Sequence, residues 1–265
     1  MLGRTADITT EHRAALDRLA ADVGFLACAL ITIVALPRLW FQAAAFVEAG
    51  VSPMTMVSRV LSTTWGVALV MQMVAAGVGG AAFGFARLGR LGRQAWWIAA
   101  AIAGAALTIS PPFMGHPIAA EERTWLNVGT DWLHVVSASG WVGALTLLAI
   151  AARRFSSDVV STLIASFHRV AFACVLGVLV TGTISLVLRL PKLGDLFGSD
   201  YGTVLFLKLG CVAIVAALGA WHSQRAEGRA RDGGSVIGSL TAEVLFAAAA
   251  MMVTAVLVGT EPPGV

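Results

Sequence analysis

Charge is scarce in this sequence. Aspartate, glutamate, lysine and arginine together make up 12% of its 265 residues, about half of what a water-soluble domain carries. An ordinary soluble fold is excluded on that ground alone. Tyrosine occurs once and cysteine three times. Cys28, Cys174 and Cys211 all fall inside apolar runs, which argues against a disulfide framework. They read as small buried hydrophobes, with a soft-metal role as the alternative. There is no Gly-rich phosphate loop, no Cys-x-x-Cys pair, no Walker sequence and no hydrolytic motif. An enzyme is therefore not expected, and a transporter on this chain would have to run on a gradient. The formal charge of +3 is scattered over loops, so no nucleic-acid partner is expected.

What is present is hydrophobic mass: 58% of residues, with a mean hydropathy of +0.83. At about 20 residues per crossing, the chain has room for seven spans and short loops in a bilayer. The apolar segments fall near 20–47, 58–86, 95–114, 126–152, 165–189, 202–222 and 236–258. The expected fold is an all-α, polytopic transmembrane helical bundle, a single integral membrane domain over residues 1–265. The polar N-terminus lacks the features of a cleaved signal peptide, so the first span is expected to direct insertion. Pro37 is expected to kink that span, which also holds Arg38 and Gln42. Glycine is abundant, and Gly80 with Gly84, then Gly177 and Gly182, read as sites of close helix packing.

Arginine in short loops sets the expected orientation. Arg87, Arg90 and Arg93, then Arg153, Arg154 and Arg169, then Arg225, Arg229 and Arg231 mark three cytoplasmic loops. The alternate loops hold His116, Glu121, Glu122, Asp195 and Asp200. The N-terminus is then cytoplasmic and the C-terminus periplasmic.

The stretch Asp131–Ala152 is apolar enough to span, yet its first turns carry Asp131, His134, Ser137 and Ser139. Residues three, four and seven apart share a helix face, so His134, Ser137, Ala138 and Trp141 line one side. His116 lies in Phe113-Met114-Gly115-His116-Pro117. Imidazole and thioether both suit Cu(I), so His116 and Met114 are candidate ligands; a solvated loop histidine beside a packing methionine is the alternative. His134 opens the next span at the same depth, with Asp131 one turn away to orient its ring or to ligate; the alternative is a histidine bonded to a neighbouring helix. Glu243 interrupts an apolar span, where an ionisable group costs roughly 3 kcal/mol or more unless paired or hydrated. It reads as a relay or transient ligand, with Lys208 as a further polar group on the path, against a structural carboxyl. His168 and His222 sit at the inner edge, as ligands or solvated ends. Met71, Met73, Met251 and Met252 read as core packing, against a soft-metal track.

Several of these pieces resemble one family in order and spacing. They are Gly115-His116, Leu133-His134 with Trp141-Val142-Gly143, Thr181-Gly182, Tyr201-Gly202 with Lys208, Glu243, the closing Thr260–Pro263, and earlier FQAAAF at 41–46 and TTWG at 63–66. Together they are similar to the copper-resistance protein D (CopD/PcoD) family. The resemblance implies a bacterial inner-membrane protein of copper homeostasis, taking copper from the periplasm toward the cytoplasm. It also implies a periplasmic copper-binding partner of the CopC type. Family members commonly carry one further N-terminal span, and their Gly-Gly is Gly143-Ala144 in this chain. Two other readings stay open. One is a haem protein moving electrons or reducing metal, with His116 and His134 as one ligand layer and His168 and His222 as the other. The other is a membrane assembly factor.

Overall fold

The computed structural model describes residues 9–46, 51–89, 92–115, 124–190, 193–225 and 233–260; at 93, 189, 193, 221–225 and 233–236 it describes the backbone alone. The described residues form eight α-helices and no strand: α1 (Thr10–Ala44), α2 (Pro53–Leu61), α3 (Thr64–Arg87), α4 (Arg93–Ile109), α5 (Thr124–Ala151), α6 (Ser157–Arg189), α7 (Asp200–Arg225) and α8 (Gly233–Val258), with short 3₁₀ turns at Pro111–Met114 and Leu193–Leu196. All but α2 are long and apolar enough to cross a membrane. The protein is a multi-pass membrane protein, and the seven expected spans are found.

The ends differ from expectation for local reasons. α1 begins at Thr10, not near 20, and runs for 35 residues, roughly 52 Å at 1.5 Å per residue. A hydrocarbon core is about 30 Å thick. The charged first turns continue the helix beyond the apolar layer; polarity there marks depth, not a helix end. α6 likewise starts at Ser157 instead of 165.

The expected span at 58–86 is two helices. Ser52 caps α2, its side chain accepting from the Thr55 N–H, with Pro53 in the first turn, a position that suits proline. The chain then leaves the helix at Thr63 (ψ 163°), whose hydroxyl accepts from the Gly66 N–H at the head of α3. A side-chain cap of this kind contributes about 1 kcal/mol. α2 is too short to span and buries Met56 and Val60 against Leu39, Ala43 and Trp65.

The burial pattern is that of a protein solvated by lipid. The interior is rich in alanine, including Ala21, Ala35, Ala68, Ala76, Ala82, Ala100 and Ala103, whereas Ile33, Leu36, Val74, Ile102, Phe172 and Val187 are exposed. In a bilayer large apolar side chains gain nothing by moving inward, and close backbone approach through small residues holds spans together.

The chain divides into two compact units, residues 14–136 and residues 137–265 with 1–13. In the N-terminal unit, a Cβ on Gly79 would lie 3.1 Å from Cys28 Sγ and 3.3 Å from Ala103 Cβ. Gly79, with Gly80 beside Cys28, makes the close approach; Gly84 faces open space, so the expected Gly80/Gly84 pair is half right. In the C-terminal unit, Cys174 Sγ fills the notch at Gly140, and Ser137 packs on Gly177. Cys28 and Cys174 thus act as small packing side chains. Trp141, Leu145, Leu148, Val215, Leu240 and Ala247 form the core of this unit.

Candidate functional site

Buried polar side chains mark two places within the spans, one in each unit. In the N-terminal unit they lie on the first half of α5. Asn127 and Thr130 are buried, and Asp131 and His134 are half-buried. Spacings of three and four place all four on one side of the helix. None of Asn127, Asp131 and His134 is without a partner. Asp131 and His134 stand out in the sequence, and Asn127 and Thr130 do not. The same helical spacing, extended one turn toward the N-terminus, would have found them.

The end of α4 is tied to this helix. Trp132 Nε1 donates to Thr108 Oγ1 at 3.1 Å, and Thr108 Oγ1 donates to the Ala105 carbonyl. α4 and α5 are therefore neighbours at this end, as consecutive antiparallel spans should be. Met114 closes the 3₁₀ turn that follows α4 and is half-buried. His134 lies two residues past Trp132, roughly 200° around the helix, so it does not share the face through which Trp132 reaches α4. His116 lies outside the described residues, and so do Glu121 and Glu122.

The second place is the contact of α7 with α8 in the C-terminal unit. Glu243 is only 2% exposed. Its Oε2 lies 4.0 Å from where a Cβ on Gly219 would sit. Leu240 and Ala247, one turn to either side of Glu243, belong to the apolar core with Val215. The carboxylate is thus held in a notch that the missing Gly219 side chain leaves open. Lys208 is half-buried and engaged by a partner of its own, as is Glu243. It stands about three turns of α7 before Gly219, roughly 16 Å along the axis. The two groups named together for a path are therefore well apart in depth.

His168 lies on α6, and its Nε2 is buried without a hydrogen-bond partner among the described residues. His222 is on α7, and its side chain is outside the described set. Met251 and Met252 are 53% and 67% exposed and Met71 is 52% exposed. The expectation that these methionines pack in the core is corrected: they lie on apolar outer faces, where an unbranched thioether is as well solvated by lipid as leucine. Among the described residues, no group of three or more His, Cys, Asp or Glu side chains could hold a metal ion. A site of three or more ligands there must draw on methionine, asparagine or backbone groups, or on residues outside the described set.

Residues 161–257 match the family Copper resistance protein D. That segment contains α7 and nearly all of α6 and α8, and with them His168, Lys208, Gly219 and Glu243. The chain is also 27% identical over 181 residues to a Copper transport protein, CutJ, of Bacillus subtilis (strain 168). The alignment takes in 67% of this chain and 33% of that protein, so the chain spans about a third of the length of the relative it matches. No solved structure matches the chain.

Proposed function

We propose that the protein, whose residues 161–257 match the Copper resistance protein D family, takes copper from the periplasm toward the cytoplasm across the bacterial inner membrane. Copper is received at the α4–α5 end, facing the periplasm. His134, Asp131 and Met114, together with His116, supply imidazole, carboxylate and thioether there. A periplasmic copper-binding protein of the CopC type delivers it. Glu243 then serves as proton carrier or transient ligand between α7 and α8. The N-terminus is cytoplasmic and the C-terminus periplasmic.

One observation carries this reading. Within the matched segment, an ionisable carboxyl is buried where an apolar side chain would pack at no cost. An embedded acid costs roughly 3 kcal/mol unless it is paired, hydrated or protonated. Such a group marks an ion or proton path more readily than a structural peg. The test is copper uptake into proteoliposomes. Glu243→Gln keeps the shape and the hydrogen-bonding capacity while removing the charge. It is expected to insert and fold normally and to lose uptake more than tenfold. Uptake at the parent rate would leave Glu243 a structural role only and would overturn the path.

The unpartnered Nε2 of His168 favours a second reading, a haem ligand in an electron-transfer protein. An absorption spectrum of protein purified from haem-replete cells separates the two. The copper reading expects no intense Soret band. A stoichiometric band that disappears in His168→Ala would replace it with the haem reading.

A further inference from the structure

A groove on the N-terminal unit takes no part in the copper path. It has a volume of about 620 Å³ and runs between α1 and α3, lined by Asp22, Phe25, Ala81, Gly84, Phe85 and Arg87 among others. Small-molecule sites fall in the range of roughly 300–1,000 Å³. Phe85 forms one wall and is held in place by stacking on Trp96, with ring centroids 4.6 Å apart. A Cβ on Gly84 would have nothing within 4 Å, so the floor is open.

One end of the groove is charged. Arg87 Nε pairs with Asp22 Oδ1, and the two side chains remain 56% and 43% exposed. This pairing leaves both terminal NH₂ groups of the guanidinium and the second carboxylate oxygen for other partners. Asp22 is the last charge on α1 before an apolar run that reaches Pro37, and Arg87 ends a helix that carries no other charge. The groove therefore starts at a polar boundary and continues into the apolar layer.

We propose that this groove binds a phospholipid whose head group carries a primary ammonium beside its phosphate. One acyl chain lies along Ala81 and Gly84 between the two phenylalanine rings. The phosphate accepts from Arg87, since guanidinium presents two parallel N–H groups to such oxyanions. The ammonium donates to Asp22. A purely anionic head would add a second negative charge beside Asp22, with Arg87 as the one cation that the groove offers to both among the described residues. A quaternary amine has no N–H to give that carboxylate.

Native mass spectrometry of the full chain, titrated separately with phosphatidylethanolamine, phosphatidylcholine and phosphatidylglycerol, tests the proposal. Phosphatidylethanolamine is expected to bind about tenfold more tightly than either of the others. Gly84→Leu has open space at its Cβ, so it is expected to fold and to lose that preference. Arg87→Gln is expected to lose it as well. Where Gly84→Leu fails to fold, Ala81→Leu fills the same groove from the next turn. Equal binding of the three lipids, or an unchanged preference in a folded groove-filling variant, would overturn the proposal. So would a dimer that the groove-filling variant breaks, since a second copy would then be the occupant.

Discussion

The two compact units open a central span in the same way and differ in what a later glycine of that span packs against. Thr63-Thr64-Trp65-Gly66 opens α3 and Ser199-Asp200-Tyr201-Gly202 opens α7. In both, the capping hydroxyl accepts from the glycine N–H, at 3.2 Å and 3.1 Å. In both it also donates back to a carbonyl of the preceding short helical turn, that of Val60 or of Leu196. The same carbonyl oxygen closes over the glycine, leaving no space for a Cβ. Further along, each central span presents a glycine to the helix that follows it: Gly79 to Ala103 in one unit, Gly219 to Glu243 in the other. Ala103 lies as many positions after Gly79 as Glu243 lies after Gly219. One notch receives a methyl group and the other a carboxylate. The glycine that packs two helices in the first unit makes room for an acid in the second. Counted from the caps, Gly79 comes 13 residues after Gly66 and Gly219 comes 17 after Gly202, so the two spans share an opening and place their glycine contacts about one helical turn apart.

Exchanging the contents of the notches should break the comparison most severely. Ala103 is 3% exposed, and the Gly79 notch is already occupied by Cys28 Sγ. Ala103→Glu adds an unpaired acid to a filled space. It should cost roughly 3 kcal/mol or more, read as lost expression or a collapsed denaturation midpoint in detergent. The reverse exchange, Glu243→Ala, should leave a folded protein that fails to transport copper. Equal tolerance of both exchanges would show that the two notches are interchangeable packing sites and would remove the argument for Glu243.

A smaller effect is expected at the caps. Gly66→Ala and Gly202→Ala each force a Cβ against a backbone carbonyl that cannot step aside. Overpacking of this kind costs about 1–3 kcal/mol. The comparison holds if both variants lose stability by similar amounts in thermal unfolding. It fails if only one does.

Much of this was legible in the sequence, in proportion to how local its cause is. Seven spans follow from apolar runs of sufficient length, because the bilayer sets that length directly. Glu243 could be singled out because a charge in such a run is conspicuous. The shared cap could have been read by setting TTWG beside SDYG, each a hydroxyl residue, an aromatic and a glycine at fixed offsets. The division of the second span into α2 and α3 was signalled by Ser52-Pro53 and by Thr63, yet apolar Val60 and Leu61 masked the break. The place of Glu243 beside Gly219 was not legible, because it depends on how two helices cross. The exposure of Met251 and Met252 was misjudged because an apolar side chain marks a core only when the solvent is water.

The smallest expected effect gives the sharpest form of the comparison. Gly79→Ala and Gly219→Ala are the same chemical change on the same kind of helix, and each gains about 1 kcal/mol of helix propensity. At Gly79 the new methyl meets Cys28 Sγ at 3.1 Å and Ala103 Cβ at 3.3 Å, both tighter than comfortable contact, on side chains too short to swing away. Overpacking should cancel or exceed the propensity gain and leave a net loss of up to about 1–2 kcal/mol. At Gly219 the nearest atom is Glu243 Oε2 at 4.0 Å, an ordinary contact, so Gly219→Ala should be neutral or slightly stabilising. The methyl does, however, take up space beside the carboxylate that water or an ion would use. The expected signature is therefore a stability that holds or rises while copper uptake falls several-fold, against the opposite pattern in Gly79→Ala. Denaturation midpoints and uptake rates of the two variants, measured on the same preparations, decide it. If Gly219→Ala transports at the parent rate, the notch serves helix packing in both units, and their difference lies in the side chain of Glu243 alone.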